Sequence, residues 1–441
     1  MKPGIKVAAI TACVALALTA CGGGNKKDKT RLSGERISVM ALEQTLAVDP
    51  VAADIQIHLP EPVVNLEWPQ AGGYASHAMY HLALDDNLTE LWHRRIAVGT
   101  HGNRRLMATP VVGDGTLFVL DADENVVAAD AETGKERWKI SLGRGDENRD
   151  SGFGGGIAYH QGRVFVTTGF GYIVALDAGN GREVWRQSVG VPFRGAPTIA
   201  DGQVYAVTHD NQLYAYSEDD GTYLWYHVGI AEDAGILGAA SPAVEGQTVL
   251  AAYSSGELFA IRTANGGVAW QDALSRTGRL TPLSSINDID GEPVIADDHV
   301  YAVSHGDRMV SIDLRTGARE WERNVSSIHT PWVAGDFIFL VTMDGELVSL
   351  YRPDGKVRWI LPLQKYVDVE DAKHLIAWSG PILAGNRLIV VSSHGYVVSV
   401  SPYTGEIISA SRAADSLNIE PIVANKTLYI MDDGGTVYAL R

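Results

Sequence analysis

A glycine followed four residues later by tryptophan recurs along this chain, at Gly134/Trp138, Gly181/Trp185, Gly221/Trp225, Gly266/Trp270, Gly317/Trp321 and Gly355/Trp359. Trp92 is a seventh tryptophan in the same register, with Leu88 at the glycine position. Gly405 opens an eighth copy that ends in Ser409 instead of an aromatic. Successive tryptophans lie 46, 47, 40, 45, 51 and 38 residues apart. A period in the forties means one supersecondary unit repeated, each copy burying its faces against its neighbours. Units such as "APTIADGQVYAVTHDNQLYAYSEDDGTYLW" contain three runs of β-branched and aromatic residues separated by Gly- or Asp-rich turns. A fourth strand carrying the tryptophan follows. This pattern predicts an all-β chain folded as a β-propeller of four-stranded blades.

The count fixes the closure. Seven complete units end at residues 138, 185, 225, 270, 321, 359 and 409, after which "EPIVANKTLYIMDDGGTVYALR" supplies three strands and stops. The missing fourth strand is "LTELWHRRIAV" around Trp92, so the N- and C-terminal strands share the eighth blade and remove a free sheet edge. The repeated glycine suits a turn that needs positive φ. The tryptophan four residues on is expected to wedge between adjacent blades and bury roughly 150–250 Å². Trp92, Trp138, Trp185, Trp225, Trp270, Trp321 and Trp359 therefore read as structural.

Residues 1–20 stand apart. Lys2 and Lys6 precede "VAAITACVALALTA", too short for a comfortable membrane span, and the run ends in "LTAC" at Cys21, followed by glycines. This ending resembles a bacterial lipobox, which implies lipidation at Cys21, and residue 22 is not aspartate, which suits the outer membrane. Residues 21–66 read as a tether and 67–441 as the propeller. The tether opens with polar, glycine-rich "GGGNKKDKTRLSGER", whereas "ISVMALEQTLAVDP" is apolar enough to dock. The net charge of −17 argues against a nucleic-acid partner.

Candidate chemistry is sparse. Cys13 and Cys21 are the only cysteines, the first in the leader and the second the expected acylation site, so the mature chain is expected to have neither a disulfide nor a haem-attachment motif. "SGFGGG" at residues 151–156 is followed by a strand-like run, whereas a phosphate cradle needs a helix N-terminus. His209, His305 and His394 recur in one turn of different blades and are expected to spread around a ring, not to converge on a metal. No catalytic residues, metal ligands or cofactor are assigned. The 51-residue spacing holds a long inter-blade connection with Arg276, Arg279, Asp288 and Asp290, a place where partner binding or a solvated loop are equal readings.

Lipobox, tether and eight blades, seven of them marked by tryptophan, together resemble the BamB family of lipoprotein propellers in outer-membrane β-barrel assembly, built from pyrroloquinoline-quinone-type repeats. The resemblance implies a non-enzymatic scaffold on the periplasmic face of the outer membrane. Its implied partners are the POTRA domains of the central barrel subunit, other lipoproteins of the complex and unfolded barrel clients. It carries the partner contact to Asp288 and Asp290 in "SSINDIDGEPV", where charge reversal should weaken docking without moving the melt. A second contact, a leucine-rich loop with an arginine, falls on "EDAGILGAASPAV", where Ile236 and Leu237 are present and arginine is not. A quinone-dependent dehydrogenase and a propeller for another ligand or partner remain the alternative readings.

Overall fold

The computed structural model describes residues 46–143, 154–232, 238, 240–275 and 287–441. Among them are eight four-stranded antiparallel sheets. Seven are continuous in sequence, spanning residues 111–141, 155–188, 198–228, 243–273, 294–323, 332–362 and 378–412, and are called blades 1 to 7 in that order. Blade 8 consists of Ile422–Ala424, Thr427–Met431 and Thr436–Leu440, completed by Glu90–Arg95 from the other end of the chain. Thr89 and Arg441 exchange backbone hydrogen bonds at 2.7 and 2.9 Å where that junction closes. The predicted architecture and its closure are what the chain adopts.

The Gly–Trp repeat is explained by contacts between successive blades. A Cβ on Gly134 would lie 2.6 Å from the Trp92 ring, and one on Gly181 2.7 Å from the Trp138 ring. The same relation joins Gly221 to Trp185, Gly266 to Trp225, Gly317 to Trp270, Gly355 to Trp321 and Gly405 to Trp359. Each tryptophan thus rests on the glycine of the next blade, and its indole N–H donates to a carbonyl there, as Trp225 does to Thr263 at 2.8 Å. These glycines also adopt φ between +67° and +74°, which an L side chain resists.

A register shift precedes every one of these outer-strand positions in blades 1 to 7, as between Ala215 and Tyr216 opposite Trp225. The extra residue turns the ring toward the neighbouring blade. Opposite it the third strand always carries Ala or Ser, for example Ala128, Ala260 and Ser349, which leaves room for the indole. Ser409 occupies this position in blade 7. The next blade is the one split between the termini, so it has no continuous glycine turn for a ring to rest on.

The chain ahead of the blades packs more than a tether would. Leu46–Arg441 forms one compact unit, with Ala52 and Ile57 buried, so the packed region starts about twenty residues before the predicted boundary at 67. Residues 65–82 then make one circuit of the propeller axis, meeting the innermost strand of each blade in turn. Asn65 accepts from Asn425 of blade 8, Trp68 pairs with Val112 of blade 1 and Pro69 accepts from Tyr159 of blade 2. The Gln70 amide holds Ile199 of blade 3. Ala75 accepts from Val244, Ser76 from Ile295 and Tyr80 from the Trp332 indole, and Leu82 bonds to Leu383. Innermost strands expose unpaired backbone groups to the axis, and this strap satisfies them while closing that end of the channel.

Candidate functional site

The strap covers the rim with the first-to-second-strand turns. Inter-blade connections and second-to-third-strand turns share the opposite rim, as His209 N–H to Pro192 O at 2.7 Å and His305 N–H to Asp288 O at 2.9 Å record. His209, His305 and His394 sit in those turns of blades 3, 5 and 7, as the repeat requires, and do not converge. Of "SGFGGG", Gly155 and Gly156 open the strand Gly155–His160, so strand and not helix follows.

Asp288 and Asp290 lie in the connection from blade 4 to blade 5. They face the same side, as their spacing predicts, but that side is inward. Asp288 has 0% side-chain exposure and Asp290 6%. Their cation is Arg194, 3% exposed, from the connection between blades 2 and 3. Arg194 Nη2 donates to Asp288 Oδ2 at 2.8 Å, lies 3.5 Å from Asp290 Oδ1 and donates to the Gly238 carbonyl at 2.9 Å. One guanidinium therefore ties together three successive connections.

This corrects two expectations. The carboxylates are not a solvent-facing acceptor for a partner cation, because a cation of the same chain already holds them away from water. Charge reversal would set lysines against Arg194 inside the protein, so stability would fall together with docking. Arg194 lies one connection before "EDAGILGAASPAV", in "VPFRGAP", and sequence reasoning did not single it out. The available signal was a lone charge between the fully buried Phe193 and the glycine leading into an inner strand. Backbone fixes it there: Arg194 N–H donates to Val207 O at 3.0 Å and its carbonyl accepts from Gly155 at 3.2 Å. Burial, with the neighbouring Asp288 charge, pushes the Asp290 carboxyl up against the pull of Arg194. Ile236, Leu237, Arg276, Arg279 and Cys21 lie outside the described residues.

Asp290 also borders a cavity of about 460 Å³ at the axis on this rim. Glu292 and Glu420 line it with Trp378, Ile376 and Ile419. Burial raises Glu292 to about 7, opposed by a hydrogen bond with Ser241. Burial and the Glu292 charge raise Glu420 to about 8, and burial lowers His329 to about 4.

The family model described as "Outer membrane protein assembly factor BamB" matches residues 144–361, and one described as "Glucose/ethanol/alcohol dehydrogenase, beta-propeller domain" matches residues 86–186. The outer membrane protein assembly factor BamB of Yersinia pestis is 27% identical over 357 residues, covering 80% of this chain and 88% of that protein. That of Escherichia coli K12 is 25% identical over 394 residues, with coverage of 80% and 88%. Among solved structures, BamB from Moraxella catarrhalis matches with a TM-score of 0.66 at 20% identity, over 80% of this chain and 100% of that one. The quinohemoprotein alcohol dehydrogenase of Comamonas testosteroni matches with a TM-score of 0.67 at 15% identity, over 85% and 80%. At those identities the structural matches speak to the fold alone.

Proposed function

The chain belongs to the BamB-like eight-bladed propellers, and from that premise we propose that it is a non-enzymatic scaffold of outer-membrane β-barrel assembly. It is anchored by acyl chains on Cys21, faces the periplasm and docks on the POTRA region of the central barrel subunit beside the other lipoproteins of the complex. The observation that carries the docking site is the Arg194–Asp288–Asp290 node. Two carboxylates on one buried guanidinium form a costly arrangement with little net stabilisation over an apolar core, but they fix the relative placement of three rim connections. Gly238, Asp288 and Asp290 are then held in one cluster, and the apolar part of the docking contact falls to Ile236 and Leu237. In this reading Asp288 and Asp290 are positioning residues.

The test is co-purification of the barrel subunit with Arg194→Ala, beside the wild-type chain, from detergent-solubilised envelopes. Loss of the subunit from a folded variant supports the reading, and undiminished capture overturns it.

The dehydrogenase-type match to residues 86–186 favours one second reading, a quinone enzyme. Pyrroloquinoline quinone is a tricarboxylate, and on the axis it would meet Asp290, Glu292 and Glu420. The residues present do not fit that anion. An absorbance scan after incubation with quinone and calcium separates the two readings, the scaffold predicting no bound chromophore.

A further inference from the structure

The axial cavity has an internal logic that scaffolding does not require. Seven inner strands carry a residue followed by proline at the same place in the repeat: Thr109, Ala196, Ser241, Glu292, Thr330, Gly380 and Glu420. Apart from Gly380, with φ +105°, the residue before the proline is held extended, which aims this position consistently. Five of the seven are small, and two are glutamates, from blades 5 and 8. Thr109, Glu292, Thr330 and Glu420 all line the cavity. Glu292 reaches down to the strap, where a Cβ on Gly72 would stand 2.4 Å from its Oε2. Glu292 therefore links the cavity wall to the strap.

A second observation points to a ligand. Asp290 lines the same cavity with its side chain 6% exposed, and its Oδ2 has no hydrogen-bond partner among the described residues. A buried carboxylate oxygen without a donor is costly, and a donor arriving from outside relieves it. Part of the remaining wall is apolar, formed by Trp378, Ile376 and Ile419, and the volume of about 460 Å³ far exceeds a bare ion.

We propose that this cavity binds an alkylammonium group, its N–H donors on the Glu292 and Glu420 carboxyls and its apolar stem along Trp378, Ile376 and Ile419. Such a group supplies three donors and one positive charge on a hydrocarbon stem, matching two acids beside an apolar stretch of wall. A lysine side chain of a peptide and a free diamine share this chemistry.

Proton linkage supplies a specific signature. Glu292 at about 7 and Glu420 at about 8 hold protons near neutral pH when the site is empty. An ammonium charge beside them favours the ionised form, so binding expels protons. The other groups facing the site are Asp290 with Arg194 and Asp288 behind it, His77 of the strap, His329 on the wall, and Lys365 with Asp344.

The full-length chain in detergent is titrated calorimetrically at pH 7.5 with cadaverine and, separately, with Nα-acetyl-lysine methylamide, in phosphate and in Tris. Saturable binding is expected, with about one proton released per site as the difference between buffers. Response to the lysine derivative assigns the group to a peptide side chain, and response to cadaverine alone to a free diamine; both support the site. Glu420→Gln should weaken binding at least tenfold. Should that variant not fold, Met343→Lys at the half-exposed cavity lip places a tethered ammonium there and should abolish saturation. Saturation by neither ligand, binding without proton release, or undiminished affinity in a folded variant overturns the proposal. Capture of the barrel subunit by Glu420→Gln is unchanged, which keeps this test separate from that of the scaffold reading.

Discussion

The contact between Gly266 and Trp225 allows a quantitative test of how the blades hold together. Gly266→Ala adds a Cβ 2.8 Å from the Trp225 ring at a residue with φ +72°. The left-handed backbone costs an alanine roughly 1–2 kcal/mol. Overpacking against the indole adds about 1–3 kcal/mol, for a total of about 2–5 kcal/mol. Trp225→Ala removes a ring that is 8% exposed, together with its bond to Thr263, and should cost about 3–5 kcal/mol. In the Trp225→Ala background the ring is gone, so Gly266→Ala should cost only the backbone part, roughly 1–2 kcal/mol. The double-mutant cycle thus carries a coupling of about 1–3 kcal/mol. Gly202 is the internal control: it has φ +77° and nothing within 4 Å of its Cβ position, so Gly202→Ala should cost the backbone part in either background. The assay is urea unfolding, comparing midpoints at equal slope. A Gly266→Ala cost that is the same with and without the Trp225 ring would refute the account of the repeat.

Three further outcomes are expected. Cys21→Ser should leave the propeller folded and release it from membranes in fractionation, since no helix among the described residues is long and apolar enough to cross one. Arg194→Ala should lower stability by about 3–5 kcal/mol in urea, because it strands Asp288 inside the protein, so docking and unfolding are read on the same sample. Burial raises the Glu420 pKa from 4.5 to about 8, so the folded state holds the proton more tightly and stability falls as pH rises between those values. Glu420→Gln should flatten that fall in urea midpoints measured from pH 4.5 to 8. His77 and His329, both lowered to about 4, oppose it on the acid side by losing stability as pH falls below about 6.5, and they do so equally in both proteins.

The blade count, the shared eighth blade and the wedge role of the tryptophans were determined by the sequence itself. A repeat imposes the same local geometry on every copy, so its spacing transmits directly into architecture. Even the ring-less Ser409 is consistent with a next blade whose glycine turn is cut by the termini. Only the tertiary structure decided where Asp288 and Asp290 face. Their spacing sets them on one side of the chain, but inward or outward depends on Arg194, 94 residues away, filling the space beside them. The strap was equally hidden. Residues 65–82 carry no repeat and little strand pattern, because their hydrogen bonds go one at a time to eight different blades. The axial acids combine both kinds of information. Their place before a proline is written in their repeats, but only ring closure brings Glu292 and Glu420, 128 positions apart in sequence, to the wall of one cavity.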